Sequence, residues 1–163
     1  MILAMIVAID ANNGIGKNND QLAYISADLK RFKALTTGHT ILMGRKTFEA
    51  LPKGALPNRR NVVITRQADF TAPKVDVAES LEAALKLCAS DEKVFVIGGG
   101  EIYKAFLPKT KELYLTVIDH AFEGADVHFP EINPQDWNVA DEEGPFTDEK
   151  SGLHYRYQNL TRR

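Results

Sequence analysis

Strand-like and helix-like segments alternate through most of this chain, three glycines follow the apolar run Val94–Ile97, and the final segments change to two strands in succession. These three observations predict an α/β protein with a mixed, mostly parallel twisted sheet of about eight strands, four helices on its two faces and a C-terminal antiparallel hairpin. A single domain over residues 1–163 is expected, because this length builds one core and not two comfortable ones.

The opening run Ile2–Ile9 is apolar but has no basic flank or small-residue cleavage site, so it reads as a first strand rather than a secretion signal. Further strand-like runs fall at Thr40–Met43, Asn61–Thr65, Val75–Val77, Val94–Ile97 and Glu112–Ile118, with helical periodicity at Ala27–Leu35, Thr47–Leu51, Leu81–Cys88 and Ile102–Leu107. Alternation of this kind implies right-handed crossovers between parallel strands, with ligands bound beyond the strands' carboxyl ends. After Asp119 the helices stop, and Trp137–Asp141 with Leu153–Leu160 forms the expected hairpin. The Asn- and Gly-rich connection between Ile9 and Ser26 can bury little; it is either a lid or binding loop, or a tolerated surface excursion.

A net charge of −2 with dispersed Lys and Arg argues against a nucleic-acid or anionic-membrane partner. No apolar run approaches the roughly 20 residues of a membrane span. One cysteine, Cys88, excludes an internal disulfide, fits a reducing cytoplasm and reads as a small buried apolar side chain. The four histidines, His39, His120, His128 and His154, show no metal-ligand spacing, so no metal site is expected.

Asp28 is the most informative residue. With Ser26 as N-cap it stands in the first helical turn, where its charge favours the positive end of the helix. Projected at about 100° per residue from Asp28, Phe32 falls near 40° and Leu35 near −20°, whereas Lys30 falls near 200° and Lys33 near 140°. The carboxylate therefore points along the apolar face with no basic partner from its own helix. Its partner is then either an arginine from elsewhere in the fold or a ligand offering a planar pair of N–H donors.

Two strand-turn-helix junctions carry glycine. Gly98-Gly99-Gly100 precedes Glu101-Ile102-Tyr103, and Gly44-Arg45-Lys46-Thr47 opens the helix after Thr40–Met43. Each suits a phosphate at free backbone N–H groups; the first is equally a sterically tight turn, whereas a merely basic surface turn is disfavoured for the second because cations at a helix N-terminus oppose the dipole unless an anion offsets them. Where a fold selective for NAD would place an acid after the strand Asn61–Thr65, Arg66 follows Thr65, which suits a 2′-phosphate. Between these segments, Leu51-Pro52-Lys53-Gly54-Ala55-Leu56-Pro57-Asn58-Arg59-Arg60 joins apolar residues to a pair of guanidinium groups, a combination able to hold a carboxylate.

Taken together these segments resemble the dihydrofolate reductase family over nearly the whole chain. The resemblance rests on Ile15-Gly16, Ala27-Asp28-Leu29-Lys30-Arg31-Phe32-Lys33, Met43-Gly44-Arg45-Lys46-Thr47-Phe48, Leu56-Pro57-Asn58-Arg59, Val96-Ile97-Gly98-Gly99-Gly100-Glu101-Ile102-Tyr103, Leu113-Tyr114-Leu115-Thr116 and Glu123-Gly124-Ala125-Asp126-Val127-His128-Phe129-Pro130. It implies NADPH-dependent reduction of 7,8-dihydrofolate to tetrahydrofolate for one-carbon and thymidylate metabolism, antifolates such as trimethoprim as further ligands, and a cytoplasmic monomer.

By the same resemblance Asp28 is the catalytic carboxylate that pairs with N3 and the 2-amino group of the pterin, supported by Thr116. Substrate contacts are implied for Ile6, Val7, Leu29, Phe32, Lys33, Leu51, Leu56, Ile97 and Tyr103, with Arg59 on the glutamate α-carboxylate. Cofactor contacts are implied for Ala8, Ile15, Gly16, Asn19, Asp20, Gly44, Arg45, Lys46, Thr47, Ile64, Thr65, Arg66, Ile97, Gly98, Gly99, Gly100, Glu101, Ile102 and Tyr103. The Asn12–Tyr24 loop is implied to be the lid over the nicotinamide.

Two departures from the family pattern stand out. Gln21-Leu22-Ala23-Tyr24 puts alanine where the family usually has tryptophan, and Ala125 lengthens a Glu-Gly-Asp turn. The rival readings are the pyrimidine-reductase domain of riboflavin synthesis, on the same architecture, and a nucleotide-binding module without catalysis. Asp28 on an apolar face and the Leu56–Arg59 segment favour folate.

Overall fold

The computed structural model describes residues 1–18 and 20–163; Asn19, implied above as a cofactor contact, lies outside the described residues. In chain order the strands and helices are β1 (Ile2–Ile9), β2 (Gly14–Lys17), β3 (Asp20–Gln21), α1 (Ser26–Thr36), β4 (Thr40–Gly44), α2 (Arg45–Glu49), β5 (Arg60–Ile64) and β6 (Val75–Ala78). They continue with α3 (Leu81–Leu87), β7 (Lys93–Gly98), α4 (Gly100–Phe106), β8 (Glu112–Ile118), β9 (Val127–His128), β10 (Trp137–Thr147) and β11 (His154–Arg162).

Eight of the strands form one sheet in the order β10-β11-β8-β1-β7-β4-β5-β6. From β8 to β6 every pairing is parallel, and β11 runs antiparallel to both its neighbours. The central strands are near-continuous apolar runs because helices cover both faces. Alternation along β1 divides the core. Ala4 and Ile6 face one way with Ile41, Met43, Val63 and Phe95, while Leu3, Met5 and Ile9 face the other with Leu42, Val62, Val94 and Val96.

Pairing of β1 with β7 stops at Met5 and Val96, although β1 stays paired with β8 as far as Ile9 and Val117. The carboxyl ends of β1 and β7 are thus released from each other in the middle of the sheet, the place where open α/β sheets receive ligands.

Three expectations change. The connection after β1 is not bare loop: β2 and β3 join β9 in a second sheet, order β3-β2-β9. Its anchor is Asp10, only 2% exposed, whose carboxylate accepts the N–H groups of Asn12 (2.9 Å), Gly14 (2.7 Å) and Phe122 (3.0 Å). Ser26 is the first helical residue and not the N-cap; that position falls to Ile25, which has no side-chain oxygen and fixes the helix start by being buried with Ile118 and Tyr155. β10 also runs on to Thr147, past the expected Asp141. Its two register shifts, Pro145 and acidic exposed face blunt it as an outer edge.

Candidate active site

Asp28 sits half-buried in the first turn of α1, and its Oδ1 accepts the Thr116 hydroxyl of β8 at 2.5 Å. Thr116 is aligned with Ala8 of β1 on one side and Tyr157 of β11 on the other, so the carboxylate rests where three strands meet. Burial pushes the Asp28 carboxyl above its ordinary value, while the Thr116 hydrogen bond and the Arg31 guanidinium pull it back down. It forms no ion pair among the described residues.

The expectation that no basic residue of α1 pairs with Asp28 holds among the described residues. Arg31, three residues on, shares its side of the helix and acts on it through space without bonding to it. A carboxylate that is desolvated, bonded once and open to one further partner is suited to a ligand carrying parallel N–H donors.

Ile6, Phe32, Leu51, Leu56 and Ile97 come together in one apolar cluster beside this carboxylate's helix. Val7 does not join them. Its side chain packs in the cluster on the opposite face, because adjacent residues of a strand point opposite ways. Leu29 is 47% exposed and Lys33 is exposed, so these two border the site from the solvent side of α1. Tyr103 is buried and its hydroxyl donates to the carbonyl of Ile6, the first β1 residue beyond the pairing with β7, at 2.9 Å. Burial drives the Tyr103 hydroxyl far above its ordinary value, so it remains a neutral donor.

Arg59 and Arg60 separate. Arg60 is taken by Asp76 at 2.8 Å and Asp91 at 3.3 Å. Arg59 donates to the Pro57 carbonyl at 3.0 Å and to the Thr36 hydroxyl at 3.1 Å and meets no carboxylate of the described residues. Partial burial without an anion makes its guanidinium easier to deprotonate than usual. Asn61 braces the segment, giving N–H bonds of 2.9 Å to the Leu56 and Arg59 carbonyls and accepting from the Leu56 N–H at 3.0 Å.

On the other side of Tyr103 the two glycine junctions abut. Gly98 has φ +134°, and a Cβ there would lie 3.3 Å from the Thr47 hydroxyl; one on Gly99 would lie 3.4 Å from it. A Cβ on Gly100 would meet Val127 at 2.6 Å, and one on Gly44 would meet Ile102 at 3.2 Å. The turn before α4 thus packs closely against α2 and β9, where a side chain on Gly100 would collide with Val127 and one on Gly98 or Gly99 would crowd Thr47. Glu101 is exposed in the first turn of α4.

Arg45 pairs with Glu49 one turn along α2, whereas Lys46 and Arg66 are exposed without an ion pair among the described residues. Thr65 is buried and its hydroxyl accepts the Gln67 N–H at 3.1 Å. Ile15, Ile64 and Ile102 pack into the core cluster on the Tyr103 side, and Ala8 packs with Ala23, Phe122 and Tyr157. The Gly16 carbonyl accepts the Asp126 N–H at 2.9 Å, and exposed Asp20 accepts the Tyr24 hydroxyl, which lowers the Asp20 carboxyl.

Asp10, Asn61, Arg31 and Tyr157 are site-building residues that sequence reasoning passed over. A lone aspartate ending the first strand just before an Asn-Gly-rich turn was the available signal for Asp10, since such side chains bond locally to turn N–H groups. Placing Arg31 on the same helical projection as Asp28, about 60° from it, was the signal for Arg31.

A family model described as Dihydrofolate reductase matches residues 2–162. The chain is similar to a dihydrofolate reductase of Staphylococcus haemolyticus, 42% identical over 155 residues that cover 95% of this chain and 92% of that one. It is equally similar to one of Bacillus subtilis, 42% identical over 156 residues covering 96% and 92%. Among solved structures, "Dihydrofolate reductase from Enterococcus faecalis complexed with NADP(H) and RAB-propyl" superposes with a TM-score of 0.90 at 36% identity, covering 99% of this chain and 96% of that one. By the family model and by relatives of this identity and coverage, the chain belongs to the dihydrofolate reductase family.

Proposed function

We infer that the protein reduces 7,8-dihydrofolate to 5,6,7,8-tetrahydrofolate with NADPH. The observation that carries this reading is Asp28: half-buried, bonded to Thr116 and without an ion-pair partner, beside the apolar cluster of Ile6, Phe32, Leu51, Leu56 and Ile97. Its free oxygen edge is complementary to the N3 and 2-amino donors of a pterin, and the apolar wall to the ring faces. Arg59 is proposed to receive the α-carboxylate of the glutamate tail, since it is the guanidinium of the pair left without an acid.

The residues on the other side of Tyr103 fit a dinucleotide. The side-chain-free backbone of Gly98 to Gly100 beside Thr47 suits a pyrophosphate, and exposed Lys46 and Arg66 suit phosphate charge, with Thr65 beside them. Arg45 is proposed to reach the same phosphates on leaving Glu49. When bound there, NADPH supplies the hydride that reduces the N5–C6 double bond at C6. The chain's own work is to hold the two ligands on either side of the Ile6 and Ile97 backbone, to exclude water with the segment of β2 and β3, and to keep an anion at Asp28. That anion favours the N5-protonated pterin, and the proton itself reaches N5 through water because Asp28 pairs at the far edge of the ring.

Antifolates with a diaminopyrimidine edge are proposed to bind the same carboxylate. The chain is further proposed to act as one domain, as a monomer and in the cytoplasm, where its single cysteine stays reduced. Dihydrofolate-dependent oxidation of NADPH, followed by absorbance, tests the reading. Activity with dihydrofolate supports it, and turnover only with a ribosylamine phosphate, or none, overturns it.

A further inference from the structure

The Arg31 guanidinium is held by an aromatic ring and an amide rather than by a carboxylate. It lies over the Tyr157 ring, 4.1 Å from ring centroid to Cζ, and its Nη2 donates to the Asn159 Oδ1 at 2.7 Å. Its Nη1 is buried with no hydrogen-bond partner. Tyr157 and Asn159 are alternate residues of β11 and share one face, and Tyr157 is the cross-strand partner of Thr116, which bonds Asp28. The first two turns of α1 are therefore each fastened to the sheet, by Asp28 to β8 and by Arg31 to β11.

We propose that Arg31 is a positioning residue for Asp28: anchored on β11 from the second turn of α1, it steadies the helix one turn beyond Asp28 and holds a positive charge near the carboxylate without occupying it. The proposal rests on the reading of Asp28 as the group that recognises substrate. A cation bonded directly to Asp28 would compete with the ligand's N–H donors. One engaged by an aromatic face and an amide leaves those oxygens open while its field still favours the anion. The groups facing Asp28 are Arg31 of its own helix, the Thr116 hydroxyl of β8 and the Tyr157 hydroxyl of β11, with Tyr155 next along that strand. Of these only Arg31 is positively charged. Burial and the Asp28 charge push the Tyr157 hydroxyl up to about 12, so it stays neutral at working pH, and desolvation of Asp28 is opposed first by the Thr116 hydrogen bond and then by Arg31.

The test is the titration midpoint of the Asp28 carboxyl in the free protein, read by carbon NMR and assigned by its loss in Asp28→Asn. Arg31→Gln is expected to raise that midpoint by about half a pH unit or more, and Arg31→Lys, which keeps the charge, to leave it near the wild-type value. An unchanged midpoint in Arg31→Gln overturns the proposal. Should Arg31→Gln fail to unfold cooperatively, Asn159→Ala serves instead: it frees the guanidinium, and a smaller upward shift is expected, an unchanged midpoint again being fatal. Full dihydrofolate reduction by Asp28→Asn would remove the underlying reading of Asp28, a failure distinct from any outcome of the Arg31 titrations.

Discussion

Arg59 and Arg60 are adjacent in the chain yet diverge completely: Arg60 turns to Asp76 and Asp91, and Arg59 turns to the Thr36 hydroxyl at the end of α1. Arg60 opens β5 while Arg59 still belongs to the turn before it, so one guanidinium is tied into the fold's ion pairs and the other remains without an acid. Arg59→Ala is expected to raise KM for dihydrofolate by about 10- to 100-fold with little change in kcat, the mark of lost binding to a charged group remote from the reacting atoms. Arg60→Ala is expected to leave KM alone and to lower stability by about 1 kcal/mol or less, because its pairs are partly exposed. Steady-state kinetics and urea unfolding of the two variants check this contrast.

Asp28 is a group whose folded-state carboxyl is raised above its ordinary value, chiefly by burial. The native state keeps the proton to higher pH than the unfolded chain does, so stability falls as pH climbs from the ordinary carboxylate range through the native midpoint. Asp28→Asn is thus expected to melt at a higher temperature than wild type at neutral pH. The gap closes once the pH is below the ordinary range of about 3.9. Reduction of dihydrofolate is expected to drop by at least about tenfold in the same variant, since an amide offers a donor where the ligand also donates. Thermal melts over a pH series and single-turnover kinetics read the two effects.

Three backbone N–H groups converge on the Asp10 carboxylate at the point where β1 leaves the sheet. Asp10→Ala is expected to cost about 2–4 kcal/mol in urea unfolding, because buried donors lose a charged acceptor and gain nothing. Amide exchange in Gly14–Lys17 is expected to accelerate in that variant, since the second sheet loses its tie to β1.

Gly98 has a φ that L side chains rarely adopt, and its Cβ position faces the Thr47 hydroxyl. Gly98→Ala is expected to lower stability by about 1–3 kcal/mol from backbone strain alone. A weaker affinity for NADPH, measured by fluorescence titration, is expected beside it because the new methyl stands in the turn proposed to hold the pyrophosphate.

Much of this architecture is legible in the sequence. The bounds of β1 and β8 coincide with their apolar runs, since buried strands must be apolar throughout, and Asp28 declares itself because a charge at a helical apolar position demands a reason. What escapes is set by residues far apart in the chain. β2, β3 and β9 are short pieces whose strand character comes from pairing with one another, β2 with nearby β3 and with distant β9 across Gly14 and His128, and not from any apolar pattern of their own. Likewise Arg31 reads as one more surface cation until β11 brings Tyr157 and Asn159 beneath it. Ser26 is an apt cap by type, but burial of Ile25 decides where the helix begins.

The division of labour along β1 makes insertions unequal. Ala125 adds a residue in a turn before β9, where its side chain simply leans on Gly14, and the second sheet still closes. One residue added within Leu3–Ile9 would transpose Ile6 and Val7 between the folate face and the nucleotide face and strand the Tyr103 hydroxyl without its carbonyl. Length polymorphism in this enzyme is therefore expected to gather in its connections and to be purged from its first strand, irrespective of how conservative the added residue is.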